Sequence, residues 1–416
     1  MSEKKQQTTP KRNWLVSLRE VALIPALAVF TGLLIGAVVI VVSDAAVISA
    51  YGNFFSDPLT ALALTWQSVA TAYGALFVGS FGSLDRLIEG LGVFFSTGET
   101  RQLLRAIYPF TESLVTATPY IFTGLSVAIG FRAGLFNIGA EGQFFIGALC
   151  SAYVGYSIVG LPAFIHLPLA LLAGAAGGAA WGAIPGYLKA RFGAHEVVNT
   201  IMMNWIAFRL SDWLLTGPMK ASGFRPVTPN VEHSAELPRL FADPLRFNWG
   251  FILALAMAGL VYWLLFKTTI GFELRSVGNN PDGAKYAGMS ITRNIVLVMT
   301  LAGGLAGLAG SAQVLGVDHW VGQGFSAGYG FDSIALALLG KSHPLGVVLA
   351  ALLFGFLRSG ATRMQSMAGI PIDIISVIQG LVIIFVAAPA IIRWIYRLKE
   401  KGDDGDSTVL TRGWGR

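Results

Sequence analysis

The feature that most constrains this chain is a recurrence of apolar runs close to the length at which an α-helix crosses a bilayer, about 20 residues. They fall at about 21–42, 113–131, 135–158, 163–188, 196–216, 249–266, 294–316, 344–361 and 374–396, with a shorter run at 330–341. In hydrocarbon every backbone N–H and C=O must be satisfied within the protein, so runs of this kind fold as helices. Charged residues make up only 12% of the 416 residues, against about 25% in soluble domains. The pattern predicts an all-α polytopic membrane protein with about 8–10 transmembrane helices. The run 330–341 is too short to span and reads as a half-helix or re-entrant segment. Counted as a crossing, it places both termini on one side.

The basic residues say which side. Lys4, Lys5, Lys11, Arg12 and Arg19 precede the first run, and Arg132, Lys189, Arg191 and Lys341 fall on segments of the same predicted side. Positive charge is retained in the cytoplasm, so both termini are expected there. The pI of 9.4 is read as topology and not as nucleic-acid affinity. Val21–Val42 is longer than a signal-peptide core and no A-x-A site follows it, so it is expected to be the first span. The expected organisation is a cytoplasmic tail 1–20, a transmembrane domain 21–398 and a polar cytoplasmic tail 399–416. Residues 44–111 read as an outer loop. Within it Leu59–Gly79 carries Thr60, Thr65, Gln67, Ser68 and Thr71, which suggests amphipathic helices lying at the outer surface.

Catalysis finds little support. The five histidines, His166, His195, His233, His319 and His343, show no metal-ligand spacing, and Cys150 is the single cysteine. His195 and Glu196 are adjacent, so on a helix their side chains diverge. Ala335–Ser342, ALALLGKS, resembles a phosphate-binding loop but lacks the first glycine and is built of apolar helix formers. No catalytic residue, metal or cofactor is expected in this chain. If ATP drives it, the ATPase is a separate subunit. Gly174, Gly178, Gly182 and Gly186 are spaced four apart, a track for close helix packing.

Four polar features interrupt the apolar background. The stretch FRAGLFNIGAEGQFF, Phe131–Phe145, sets Asn137, Glu141 and Gln143 among glycines between two runs. It reads either as a broken membrane helix of the kind that forms transport sites or as a solvated inner turn. In HEVVNTIMMNW, Glu196, Asn199, Thr200, Met203 and Asn204 share one helical face, a stripe that suits a cavity or interhelical hydrogen bonds. Arg209 and Asp212, three apart, are expected to pair. In GYGFDSIALALLG, Asp332 follows Phe331 at the start of the short run, as a helix N-terminal charge or a group facing a pathway. The loop 267–293 is polar, and after Pro281 a short helix Asp282–Ala287 ended by Gly288 is expected along the inner membrane surface.

Taken in order, GLFNIGAEGQ, HEVVNTIMMNW, GNNPDGAKYAGM and FDSIALALLGKSHPLG resemble the permease subunits of bacterial ABC importers. The branch is the one with ribose, branched-chain amino acid and nucleoside permeases, and the likeness is strongest to the simple-sugar and purine-nucleoside group. The resemblance covers about residues 100–396. It implies two pseudo-repeated halves and a translocation path for a nucleoside or simple sugar, shared by two permeases, a heterodimer being favoured. It also implies a separate ABC ATPase and a periplasmic or lipid-anchored binding protein. Phe136, Asn137, Glu141, Gln143, Asn199, Asn204, Phe331 and Asp332 would lie on the path. Asn280, Pro281, Gly283, Ala284, Ala287 and Gly288 would form the coupling helix that docks on the ATPase. Lys341 and Ser342 depart from the arginine and asparagine often found in relatives. The competing reading is a stand-alone secondary transporter or channel with Glu141 or Asp332 as a proton-coupling carboxylate.

Overall fold

The computed structural model describes residues 14–371 and 373–397. The basic residues Lys4, Lys5, Lys11 and Arg12 and the tail 399–416 lie outside them. Among the described residues the regular elements are helices, and β-pairing is confined to two isolated bridges. In chain order the α-helices are α1 (Trp14–Ser43), α2 (Ala45–Gly52), α3 (Pro58–Phe81), α4 (Leu84–Thr97), α5 (Arg101–Arg132), α6 (Ala140–Ser157), α7 (Ala163–Phe192) and α8 (Glu196–Thr216). They continue as α9 (Trp249–Lys267), α10 (Thr269–Asn279), α11 (Pro281–Tyr286), α12 (Ile291–Gln313), α13 (Tyr329–Leu339), α14 (Pro344–Ala368), α15 (Asp373–Ala387) and α16 (Pro389–Ile395). Seven segments among the described residues are long and apolar enough to cross a membrane, and α13 and α15 are shorter apolar helices. The chain is thus an all-α polytopic membrane protein.

The axis of the molecule is α5. Tyr120, Ile121, Phe122, Leu125, Val127 and Ile129 on it are fully or almost fully buried, although Pro109 and Pro119 lie inside the helix. On one flank α6, α7 and α12 interlock through glycine. A methyl group at Gly178 would collide with the Gly303 carbonyl, one at Gly307 with the Gly174 carbonyl, and one at Gly147 with Gly307. Lipid tails are as apolar as side chains, so helices in a bilayer associate through such close van der Waals contact. The track read at Gly174–Gly186 has this packing role along its whole length. Arg209 and Asp212 pair as expected, at 3.7 Å.

Three elements differ from the sequence reading. Leu59–Gly79 is read from the sequence as amphipathic helix at the outer surface, and the element there is Pro58–Phe81. It is instead a continuous helix of 24 residues, long and apolar enough to cross a membrane. It lies along α14, with Gly79 against the backbone of Gly360 and Ser80 Oγ donating to the Phe356 carbonyl at 2.6 Å. Its hydroxyls are absorbed locally, as Thr65 donates to the Ala61 carbonyl at 2.8 Å, and a hydroxyl satisfied in this way does not mark an aqueous face. The run 374–396 is divided, because Pro389 cannot continue α15. The polar loop 267–293 is also more ordered than read: α10 precedes α11, and Asn280 caps α11 by accepting from the Gly283 N–H at 3.0 Å.

Candidate functional site

Between α5 and α6 the backbone breaks at residues 133–139, where Gly134 takes a left-handed φ of +70°. A helix that starts inside the protein exposes N–H groups that must find acceptors. Here the glycine N-cap of α6 offers no side chain, and neighbours supply them. Asn137 Oδ1 accepts from the Gly139 N–H at 3.1 Å. Asn204, reaching across from α8, accepts from the Gly142 N–H at 2.8 Å and donates Nδ2 to the Ile138 carbonyl at 3.0 Å. Asn137 and Gln143 exchange hydrogen bonds through their amides, at 2.9 and 3.2 Å. Glu141, in the first turn of α6, accepts from Ser326 Oγ at 2.5 Å and from the Gly330 N–H at 2.6 Å.

This places the sequence-predicted residues. Asn137, Glu141, Gln143 and Asn204 come together, but as a buried latch: none is more than 3% exposed. The solvated-turn reading of Glu141 is therefore not what the structure adopts. A polar group in an apolar interior costs least when its partners are protein, and here α8, α13 and the break satisfy one another. Phe136 is half-buried and packs on Phe131, ring centroids 5.1 Å apart. Asn199 stands outside the latch, half-buried, with a buried Nδ2 that has no hydrogen-bond partner.

A second group is centred two residues further along α13. Asp332 accepts from Tyr120 Oη at 2.8 Å, and Arg358 on α14 donates to the same Tyr120 oxygen at 2.7 Å while standing 3.5 Å from the carboxylate. Arg358 also lies over the Tyr329 ring, 5.3 Å from its centroid. The side chains of Arg358 and Asp332 remain 31% and 33% exposed, and Phe331 beside them is 45% exposed. Sequence reading singled out neither Arg358 nor Tyr120. No periodic signal joins these positions, and only the docking of α13 between α5 and α14 does.

Pro281, Asp282, Gly283, Lys285 and Tyr286 of α11 are exposed, as are Ala287 and Gly288 just after it. Ala284 is the exception, at 3% exposure, so it anchors the helix and is turned away from any docking partner. Groups of three or more residues able to hold a metal do not occur among the described residues.

Interrupted helices, a buried polar latch and a half-exposed ion pair within apolar helices define a class, the membrane transport permeases. The chain belongs to the family described as branched-chain amino acid transport system, permease component, whose model matches residues 110–387. It is 38% identical to the guanosine ABC transporter permease protein NupP of Bacillus subtilis, over 91% of this chain and 97% of that protein. It is 36% identical to the glucose ABC transporter permease protein TsgB13 of Haloferax volcanii, over 76% of this chain and 85% of that one. A second Bacillus subtilis protein, the guanosine ABC transporter permease protein NupQ, is 30% identical over 62% of this chain and 83% of its own length. No solved structure matches the chain. The chain is therefore the permease component of an ABC transporter and not itself an enzyme. ATP hydrolysis belongs to a separate subunit, and substrate delivery to a binding protein.

Proposed function

We propose that the chain forms half of the inward path for a neutral purine nucleoside, with Phe331, Asp332 and Arg358 at the path surface. The observation that carries this is the half-exposed Asp332–Arg358 pair on helices of an apolar bundle. A charged side chain facing lipid costs about 2.5–3.5 kcal/mol or more, so this face turns to protein or to a watery path. The pair presents a donor fork and an acceptor side by side with no net charge. It suits the mixed donor and acceptor edge of a nucleobase, and Phe331 offers a ring face for stacking. The nucleoside reading takes its support from the two guanosine permeases, and the glucose permease keeps simple sugars as the second reading.

Asn137, Glu141, Gln143 and Asn204 then shape the path from behind and do not touch substrate in this conformation. Two guanosine permeases in one organism favour a heterodimer, in which a second, related permease closes the path. The coupling helix α11 faces the cytoplasm and meets the ATPase through its exposed face. Both termini lie on that side of the bacterial inner membrane. No cofactor is assigned to the chain.

Guanosine uptake into cells carrying the permease pair, the ATPase and the binding protein tests the reading. Arg358→Ala and Asp332→Asn are expected to lower uptake about tenfold or more at unchanged membrane abundance, since hydrogen bonds to charged groups contribute about 1.5–3 kcal/mol. Uptake of glucose but not of guanosine by the same cells would overturn the substrate class.

A further inference from the structure

The segment before α11 touches the break before α6 backbone to backbone. A Cβ on Gly278 would stand 2.6 Å from the Ala133 carbonyl carbon and 2.7 Å from the Arg132 carbonyl oxygen, and one on Gly134 3.0 Å from the Gly278 oxygen. No side chain lies between the two to absorb a displacement. Close-packed protein of this kind transmits movement between discrete arrangements and does not deform continuously.

The same break holds α13 at both ends. At its N-terminus Glu141 binds the Gly330 N–H and Ser326. At its C-terminus Arg132 donates Nε to the Ser342 carbonyl at 3.0 Å and Nη2 to the Lys341 carbonyl at 3.1 Å. Lys341 and Ser342 are consecutive non-glycine residues in the left-handed region, at φ 52° and 49°. Residues of this kind stay there only where the surroundings hold them, and Arg132 holds both carbonyls. The short helix between these two grips carries Phe331 and Asp332.

We infer that residues 132–141 are a two-point clamp that carries displacement of the coupling helix α11 to α13, with Arg132, Gly134 and Gly278 as positioning residues for the opening of the path. The inference rests on the proposed placement of α13 at the path. It gives Arg132 a task other than topology, and it explains why glycine stands at both sides of the α10–α5 contact.

The test uses the whole transporter in nanodiscs: both permeases, ATPase and binding protein. Phe331→Cys in a Cys150→Ser background supplies a thiol on α13 for maleimide labelling. The labelling rate is compared between the nucleotide-free complex and the complex trapped with ATP and vanadate. The parent is expected to change by about tenfold, the response of a two-state element moved by its partner. Arg132→Gln and Gly278→Ala are each expected to abolish that change while the ATPase still co-purifies and hydrolyses ATP. Arg132→Lys, which keeps a donor at the Lys341 and Ser342 carbonyls, is expected to restore part of it. A full change in both Arg132→Gln and Gly278→Ala overturns the clamp, as does no change in a parent that hydrolyses ATP. If Arg132→Gln loses the ATPase through misfolding, Gly278→Ala and Arg132→Lys decide. Guanosine uptake is read separately, in proteoliposomes of the transporter with Phe331 intact: its absence beside an intact labelling response removes the substrate class and leaves the clamp.

Discussion

Glu141 on α6 and Gly330 on α13, 189 positions apart in sequence, are joined by a hydrogen bond of 2.6 Å from the glycine N–H to the carboxylate. The approach is so close that a methyl group on Gly330 would collide with the Glu141 backbone. A membrane carboxylate with both oxygens accepting from protein is a joint and not a proton carrier. That agrees with a family powered through a separate ATPase.

Glu141→Gln keeps Oε1 on the Gly330 N–H and turns Nε2 to Ser326 Oγ, which accepts it, so the Ser326 O–H loses its acceptor and the Gly330 bond its charge. Leaving one buried group unsatisfied costs about 1–3 kcal/mol. The purified permease should lose that much stability in a denaturant titration, and Gly330→Ala should lose more. Glu141→Gln with unchanged stability would mean that the joint carries no weight.

Asn137 and Gln143 are each other's partners. Asn137→Ala and Gln143→Ala should each cost about 1–3 kcal/mol, because each strands the other amide in the interior. The double variant should cost less than the sum, since it removes both ends of the pair. A double-mutant cycle on unfolding in mixed micelles reads the coupling directly, and strict additivity would contradict the pairing.

The glycines divide into two groups by what stands beside them. Gly178→Ala puts a methyl group into the Gly303 carbonyl, whereas Gly259 on α9 has nothing within 4 Å of a Cβ. Gly178→Ala should therefore abolish or sharply reduce folded protein. Gly259→Ala should be neutral or stabilising by up to about 1 kcal/mol through helix propensity. Size-exclusion recovery and melting temperature compare the two.

On α11, the proposed coupling helix, Tyr286 is 96% exposed and Ala284 is 3% exposed. Tyr286→Ala should weaken co-purification of the ATPase while the permease keeps its melting temperature. Ala284→Arg should lower the melting temperature first, because it forces a charge into the contact that seats the helix. Equal retention of the ATPase by Tyr286→Ala and the parent would exclude that ring from the interface.

Much of this architecture can be read from sequence, and the reasons are local. Helix α8 was expected at 196–216 and occupies Glu196–Thr216, because a long apolar run in hydrocarbon has no alternative to a helix. The break around Gly134, the short helix α11 after Pro281 and the packing track at Gly174–Gly186 were likewise legible, since each depends on a residue's own backbone freedom or size. The length of Pro58–Phe81 was less legible, because its hydroxyls look polar in a sequence, while Thr65 bonds to the Ala61 carbonyl one turn back.

The direction in which polar groups face depended on partners remote in sequence. Asn137, Glu141 and Gln143 were identifiable as bonding groups, but their burial was decided by Asn204 from α8 and by Gly330 and Ser326 near α13. Tyr120, Asp332 and Arg358 lie on three separate helices and form one site only when α13 docks between α5 and α14. The sequence by itself determined the membrane class, the helices and the places where they break, because hydrophobic run length and glycine act locally. Tertiary structure alone decided which polar groups are satisfied and which stay half-open, because a hydrogen-bond partner in an apolar bundle is supplied by whichever helix packs alongside.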